Sequence, residues 1–261
     1  MRSSTLVFDL ETVPDLDAGR RIYGIKGDHE EQFQSLLESL REEGRACSND
    51  FLPLHLQRIV AISMCLRTKS GELLLTSIGN EDGQEGSIIS SFFRILENYE
   101  PILVSWNGSS FDLPVLNYRS LLHRVSAPFY WDKGQTRDKF RWNNYLSRYH
   151  DRHRDVQDIL ANYQTKAWAK LDEIAIMLGF PGKIGIGGGE VRKAFFSGKI
   201  QEIRDYCEID VANTYLVYLQ FLLIKGEISE EDLKEDHGDF RDFLQRSKKP
   251  HFQKFCQLWR G

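Results

Sequence analysis

The stretch VFDLETV, residues 7 to 13, places two acidic residues inside a run of apolar side chains. Short apolar runs are typical of buried β-strands, and alternate side chains of a strand point to the same face. Asp9 and Glu11 are therefore expected to stand side by side on one face of a strand. Adjacent carboxylates repel each other, so the pair needs either a shared proton or a cation between them. A strand end that emerges into solvent is the plainer alternative.

The composition indicates a globular protein, with 261 residues, 41% of them hydrophobic, and a formal net charge of −4. We expect a single domain over residues 1–261. Its core is predicted at about 4–224, with a helical insertion at 15–50 and a basic C-terminal extension at 225–261.

The cysteines are scattered, without the CxxC spacing of zinc or disulfide clusters, at Cys47, Cys65, Cys207 and Cys256. This usage is expected in a reducing compartment. The chain begins with strand-like residues rather than an apolar leader, and the run YLVYLQFLLI at 215–224 is too short and too polar to span a bilayer. The sequence therefore predicts a cytoplasmic protein with no membrane partner.

The apolar patterns predict an α/β fold. Strands are predicted at residues 4–12, 58–68, 72–79 and 101–107, and helices at 29–44, 87–99, 111–124, 166–179 and 201–223. Ser70 and Gly71 indicate a tight turn that joins the second and third strands as a hairpin. Because the elements lack regular βαβ alternation, we expect a mixed sheet flanked by helices.

Cations and aromatic rings are interleaved in residues 131–154. The cations are Lys133, Arg137, Lys139, Arg141, Arg148, Arg152 and Arg154, and the rings are Trp131, Phe140, Trp142, Tyr145 and Tyr149. Such a mixture suits single-stranded nucleic acid, because cations bind phosphates and rings stack on bases. A solvated surface with a few anchoring aromatics is the alternative. A second basic cluster runs from Arg246 to Arg260.

Two further acids occur where a plain core would not place them. Asp112, which ends NGSSFD, follows a Gly-Ser loop and opens a predicted helix, where N-capping is the better explanation of this residue alone and is compatible with a role in catalysis. Asp210, which ends YCEID, lies one helical turn after Tyr206 on a face that becomes apolar. A buried carboxylate needs a partner. With the acids of the first strand, the two form an all-oxygen set that suits Mg²⁺ or Mn²⁺.

FDLET, NGSSFD and YCEID resemble, in this order, motifs I, II and III of the DEDD 3′–5′ exonucleases, which have a ribonuclease H-like fold. Tyr206, four residues before Asp210, resembles the tyrosine of the DEDDy branch; Asp205 stands where the other branch has histidine. The stretch WNGSSFDLPVL and the glycine loop after LGFPGK are most similar to bacterial proteins related to the proofreading domain of family B DNA polymerases. The resemblance runs from about residue 4 to residue 224.

The resemblance implies a catalytic set of Asp9, Glu11, Asp112, Tyr206 and Asp210. Its four acids would bind two Mg²⁺ or Mn²⁺ ions. Asp9, Glu11 and Asp210 would hold the ion that activates water. Asp9 would also bridge to the second ion, with Asp112 acting through its water shell. Tyr206 would orient the attacking water.

The resemblance also implies substrate contacts, at Leu10, Thr12, Asn107 and Phe111. Asp155 and Asp158 lie where the family has another acidic stretch, and Asp158 is expected to support the site from behind. The run at 185–189 departs from the Asp-Gly-Ser that relatives tend to have, and no Lys-Ser/Thr follows it as in a P-loop. A mobile lid or a close approach to the substrate backbone is expected for this glycine loop.

The sequence thus predicts a metal-dependent 3′–5′ exonuclease that acts on single-stranded DNA or RNA 3′ ends, with DNA as the expected substrate and DNA repair as the expected setting. A non-catalytic module that binds single strands is one alternative, and a magnesium enzyme acting on nucleotide sugars or nucleotides is another. A protein partner is expected to bind through the C-terminal extension.

Overall fold

The structure is a computed structural model that describes residues 3–45, 51–79 and 83–260. Within these ranges the strands are β1 (Thr5–Pro14), β2 (Gln57–Arg67), β3 (Leu73–Ser77), β4 (Ile102–Ser105) and β5 (His153–Asp155). They form one sheet in the order β3-β2-β1-β4-β5. β1 and β2 are antiparallel, as are β2 and β3, whereas β4 is parallel to both β1 and β5. The expected α/β fold, a ribonuclease H-like mixed sheet flanked by helices, is confirmed.

The helices that flank the sheet, over the same described ranges, are α1 (Leu16–Tyr23), α2 (His29–Glu42), α3 (Glu85–Tyr99), α4 (Asp112–His123), α5 (Pro128–Trp131), α6 (Val156–Leu160), α7 (Leu171–Met177), α8 (Val191–Phe196), α9 (Ile200–Ile224), α10 (Glu230–Arg246) and α11 (Pro250–Leu258). Cys47 lies outside the described residues, and the other three cysteines are free thiols.

Alternation along β1 decides which helix meets the acidic pair. Leu6 and Phe8 belong to an apolar cluster that includes residues of α3 and α4. Val7 points to the other face of the sheet and belongs to the cluster built around α9. Because side chains of a strand alternate, Asp9 and Glu11 share the face of Val7 and are directed toward α9.

α9 is the longest of the described helices, with 25 residues. By length and composition it alone, within the described part of the chain, could cross a membrane, but 78% of its most apolar window is buried inside the protein. Phe240 of α10 and Phe255 of α11 are fully buried in the same cluster as α9. The last two helices therefore cover α9. The division of the chain near residue 224 stays a prediction.

Glu208 fixes α9 to its neighbours on the side away from Asp210. Its carboxylate accepts hydrogen bonds from Ser77 N (2.8 Å) on β3 and from Lys249 Nζ (2.7 Å) and His251 Nε2 (2.8 Å) near the start of α11. Burial acts to raise the pKa of Glu208, but the bonds from His251 and Lys249 outweigh it and lower that pKa. Glu208 is thus a charged, fully bonded junction between three elements.

Most predicted elements are confirmed within a few residues, including the hairpin, whose turn is closed by Thr68 N donating to Glu72 O at 2.9 Å. The predicted helix at 166–179 was wrong at its start, because α7 begins at Leu171 after a separate turn at Thr165–Ala167. Residues 162–167 are exposed, so no apolar burial stabilises a helix there. The strand β5 and the helices α1, α5, α6, α8, α10 and α11 were not predicted.

Truncating a core ring of α10 tests whether the last helices belong to the cooperative unit. Phe240 is fully buried, with its ring centroid 4.6 Å from that of Tyr215 in α9. We expect Phe240→Ala to lower the free energy of unfolding by roughly 3–5 kcal/mol, measured by urea denaturation, because it leaves a cavity. Leu258→Ala is the control, since Leu258 is 45% exposed. Equal losses in the two variants would contradict this prediction.

Candidate active site

The acidic pair of β1 lies over a part of β2 that carries small side chains. Asp9 is paired with Ser63 and Glu11 with Ala61, so the neighbouring strand places only short side chains beside the two acids. A carboxylate oxygen of Asp9, one of Glu11 and Sγ of Cys207 all lie within 4.8 Å of one another. Cys207 approaches Asp9 Oδ2 at 3.6 Å. The two acids predicted from the alternation of the strand therefore share one cleft.

An irregularity in the sheet shapes the wall beside this cleft. The register between β1 and β2 shifts after Glu11, so Val60 of β2 has no direct partner. Such bulges bend and twist a strand locally and often occur beside functional sites. Val13 and Val60 pack against Tyr206 of α9 in a small apolar cluster, which fixes the tyrosine next to the acids.

Tyr206 and Asp210 reach the cleft from α9, one helical turn apart. Burial raises the pKa of Asp210 to about 6, although the hydrogen bond of Tyr206 and the charge of Lys183 act to lower it. Burial, followed by the charges of Asp210 and Glu11, raises the pKa of the Tyr206 phenol far above its usual value. The phenol is therefore a stable hydrogen-bond donor and not a base.

Asp112 enters the cleft from the start of α4 and is 2% exposed. Its side chain does not cap the helix, because the N-cap position is Phe111 and Asp112 is the first helical residue. Instead, Oδ1 of Asp112 accepts a hydrogen bond from Leu10 N of β1 at 3.0 Å. Burial raises the pKa of Asp112 to about 7, against backbone hydrogen bonds that lower it. The alternative of simple N-capping is thus wrong.

The four acids act on each other electrostatically. Burial raises the pKa of Asp9 well above its usual value, and the charges of Asp112, Glu11 and Asp210 raise it further. Burial likewise raises the pKa of Glu11, with Asp210 and Asp112 as the next contributions. Acids from β1, α4 and α9 have therefore been brought to one place, as the sequence predicted.

The loop between β4 and α4, residues 106–111, is held from behind by Asp155. The Asp155 carboxylate accepts hydrogen bonds from Asn107 N (2.9 Å) and Ser109 N (2.8 Å). A Cβ at Gly108 would lie 2.3 Å from Oγ of Ser105, so this position requires glycine. Together these contacts set the direction in which α4 presents Asp112.

The supporting role expected for Asp158 belongs to Asp155. Asp158 accepts two hydrogen bonds from the guanidinium of Arg148, at 2.8 and 2.7 Å, and does not contact the acid cluster. Asp155 ends β5, a strand of three residues that the sequence pattern did not reveal. His153, Arg154 and Asp155 are all polar, so no apolar pattern marked this strand in the sequence.

Lys183 is a further residue of the site that the sequence reasoning missed. Its ammonium lies 6.0 Å from the centre of the Tyr206 ring, and its charge acts to lower the pKa of both Glu11 and Asp210. Asn213 of α9 fixes the preceding residue, because its amide accepts from Gly182 N at 3.1 Å and donates to Gly182 O at 2.8 Å. The signal available in the sequence was the cation in the turn GFPGK.

The glycine loop lies over the tyrosine. Ile186 packs in the cluster that contains Tyr206. A Cβ built on Gly188 would be 3.9 Å from the Tyr206 hydroxyl. The backbone of residues 185–189 therefore forms one wall of the cleft.

The residues expected to contact substrate differ in exposure. Leu10 is 4% exposed and faces the α3–α4 side, so only its backbone adjoins the acids. Thr12 donates from Oγ1 to Gln57 Oε1 at 3.0 Å. Asn107 has a left-handed backbone with φ of 70°, and the Phe111 ring lies 5.6 Å from that of Phe51. Their contact with a substrate stays a prediction.

The basic and aromatic stretch divides into buried and exposed parts. Phe140 and Tyr145 are core residues, whereas Trp142 is 83% and Tyr149 is 75% exposed. Several of its cations are paired with acids: Lys139 with Glu100, Arg148 with Asp158 and Arg154 with Glu227. Its binding of nucleic acid stays a prediction.

The side chains present fit a hard divalent cation. Oxygen-only sets of this kind suit Mg²⁺ and Mn²⁺ better than zinc. Burial raises the pKa of Asp112 to about 7 and that of Asp210 to about 6, and a bound cation would stabilise the ionised form of both acids. Asp9, Glu11, Asp112 and Asp210 are the residues that could hold such ions.

The structure combines a ribonuclease H-like sheet with acids from β1, α4 and α9 at one place, and two-metal sites occur in nucleases, phosphatases and polymerases. Residues 49–259 match the model of a family described as a predicted 3′–5′ exonuclease related to the exonuclease domain of PolB. The chain belongs to this family. The match includes Asp112, Tyr206 and Asp210 but begins after Asp9 and Glu11, and it includes α10 and α11.

The chain is also similar to a DNA polymerase of Archaeoglobus fulgidus, with 27% identity over 162 residues. The aligned region covers 61% of this chain and 20% of the polymerase, so the chain spans about a fifth of that relative's length.

Replacing Asp112 by asparagine, its neutral isostere, tests whether the ionised Asp112 carboxylate destabilises the folded protein without metal. Because the pKa of Asp112 is about 7, the folded protein without metal holds a proton there that the unfolded chain releases. The stability due to this proton is lost as pH rises toward 7. We expect Asp112→Asn to raise the free energy of unfolding in EDTA at pH 8 by roughly 1–4 kcal/mol, with little effect at pH 4.

Asp205→Asn on α9 is the matched control. Burial acts to raise the pKa of Asp205, but hydrogen bonds from His251 and Gln201 lower it, so its charge is stabilising. This variant should lose stability at pH 8. An Asp112→Asn variant less stable than the wild type at pH 8 would contradict the prediction.

Proposed function

We propose that the protein is a divalent-metal-dependent 3′–5′ exonuclease that removes nucleotides from the 3′ end of single-stranded nucleic acid, with DNA as the expected substrate. The observation that supports it most is the meeting of four acids from three separate elements in one enclosed cleft. A core has no need of such a cluster, because uncompensated carboxylates destabilise it. Membership of the exonuclease family supports the reaction class.

Asp9, Glu11, Asp112 and Asp210 would hold the ions, and Mg²⁺ or Mn²⁺ would be the cofactor. When bound, a pair of such ions supplies an activated water and stabilises the leaving oxygen of a phosphodiester. Without metal, burial raises the pKa of Asp9 and Glu11 well above their usual values and that of Asp112 to about 7, so the cluster keeps protons at neutral pH that ion binding would displace.

The other polar groups of the cleft have separate roles. The Tyr206 phenol stays protonated and donates a hydrogen bond to Asp210, so its oxygen can accept a hydrogen bond from the attacking water and position it. The exposed Lys183 places a positive charge beside the acids, where a substrate phosphate would arrive. The backbone loop that Asp155 holds keeps Asp112 in place while substrate binds.

A non-catalytic module that binds single strands is the second candidate. The exposure of Trp142 and Tyr149 among cations favours it. A binding module, however, does not explain the acid cluster in the cleft. A protein partner on the C-terminal helices and a cytoplasmic location stay predictions.

The test is to incubate 5′-labelled single strands with the purified protein and Mg²⁺, Mn²⁺ or EDTA. We expect a ladder shortened from the 3′ end with either metal and none in EDTA. Asp9→Asn and Asp210→Asn should abolish it, and Tyr206→Phe should slow it by about 10- to 100-fold. Asp205→Asn, on the same helix but paired with His251, should keep the activity. Full turnover by Asp210→Asn would refute the assignment.

The role of Lys183 can be tested through the pH dependence of that activity. Its charge lowers the pKa of Glu11 and Asp210, so Lys183→Met should raise both values. The acidic limb of the rate profile should then move to higher pH. Lys199→Met is the control, because Lys199 pairs with Glu202 at the start of α9. An acidic limb at the same pH in Lys183→Met as in the wild type would show that the Lys183 ammonium does not lower the pKa of Glu11 and Asp210.

A further inference from the structure

We infer that Tyr149, Tyr163 and Trp168, with the guanidinium of Arg148 beside them, bind the part of the substrate strand that lies 5′ to the nucleotide being removed. We call these four residues the aromatic strip. The inference rests on the proposed function and adds to it the surface along which a single strand would run.

The strip presents rings and a cation together. Tyr149 is 75% and Tyr163 is 36% exposed, and their ring centroids are 5.2 Å apart at an interplanar angle of 70°. The guanidinium carbon of Arg148 lies 5.1 Å from the centre of the Tyr163 ring. Exposed rings are what single-strand binding proteins use as stacking platforms for bases.

The backbone under Tyr163 is held in a disfavoured conformation. Asn162 and Tyr163 have positive φ values of 49° and 61°. For a bulky aromatic residue this region is a genuine outlier, and such strain persists where the surroundings require it and often at functional positions. A hydrogen bond from Tyr163 N to Asp158 O, at 2.8 Å, holds the turn. The turn thereby brings the Tyr163 ring to Arg148.

The strip adjoins the loop that leads into the candidate active site. A cavity of about 330 Å³ is lined by Ser109 and Ser110 of the loop before α4 and also by Arg148 and Trp168 of the strip. Since that loop leads directly into Asp112, a strand with its 3′ end at the acids would cross this cavity before reaching Tyr149 and Tyr163.

The charges of this surface suit an anionic strand. Asp158 is 2% exposed on its side chain and binds Arg148 from below, whereas the Arg148 side chain is 43% exposed. The acid therefore orients the guanidinium, while the outward edge stays available to phosphate. Lys166, two residues before Trp168, is also exposed. A polynucleotide matches this combination of rings and cations better than an apolar peptide does.

The experiment compares oligonucleotides of about ten and about three residues, since only the longer ones would extend from the acids to the rings. Fluorescence anisotropy in EDTA measures binding without cleavage, with deoxy and ribo forms tested separately. We expect Tyr149→Ala and Tyr163→Asn each to weaken binding of the longer strands by about fivefold or more. Binding of the short ones should not change.

Tyr99→Ala is the matched control, because Tyr99 is 44% exposed and ends α3, at the opposite end of β4 from the loop that carries Asp112. Asn at position 163 tolerates the left-handed backbone. Should Tyr163→Asn still fail to fold, Tyr149→Ala and Trp168→Ala decide the question. With metal present, the strip variants should raise KM for the longer strands and leave kcat nearly unchanged.

Unchanged affinity for the longer strands in Tyr149→Ala and Trp168→Ala would overturn the inference while leaving the exonuclease proposal intact. Absence of cleavage with any metal, together with a loss of binding in the strip variants, would refute the exonuclease proposal and retain the strip as a binding surface. If only the ribo or only the deoxy form responds, the strip is assigned to that nucleic acid.

Discussion

Repulsion among four carboxylates in one cleft is the interaction on which the rest of this structure depends. Burial raises the pKa values of all four acids, and the charges of Asp112 and Asp210 raise those of Asp9 and Glu11 further. Nearby features act to keep the cluster in place: the backbone of Leu10 donates to Asp112, and Tyr206 donates to Asp210. The fold thus holds a charge distribution that, without cations, opposes its own stability.

Three elements carry these acids, and each is fixed by a different kind of contact. The strand β1 lies in the middle of the sheet and is paired on both edges. The start of α4 is set by the loop that Asp155 holds, where glycine alone fits at Gly108. The helix α9 packs across β1 on one side and is bonded through Glu208 on the other. A shift of any one element would separate oxygens that the cluster requires close together.

Elements and side-chain directions that depend on a local sequence pattern could be predicted. Those that depend on contacts between distant residues could not. β1 and its acids could be predicted because strand alternation fixes their direction within seven residues, 7–13. The three residues of β5 are too few to show a period, so the position of Asp155 could not be inferred. Lys183 acts on the acids from a turn that Asn213 holds through a hydrogen bond to Gly182. These two residues are 31 apart in the chain, so no local pattern shows their contact.

The helices at the end of the chain were missed for a related reason. α10 is rich in acidic and basic residues, and its apolar side chains, such as Leu233 and Phe240, form only a narrow stripe. Its capping box, in which Ser229 and Asp232 bond each other's backbone, was the local signal that could have predicted its start. The stripe packs against the preceding helix, α9. The residue spacing of α9 alone does not indicate that another helix covers it.

The cover that α10 and α11 provide has a consequence for biosynthesis. α9 leaves the ribosome before them, with an apolar surface that by composition resembles a membrane-crossing helix. Until α10 and α11 emerge and dock, this apolar surface of α9 is exposed to solvent. In that interval the nascent chain is prone to aggregation and to binding by chaperones. The order of the elements thus means that α9 can be covered only after α10 and α11 have been synthesised.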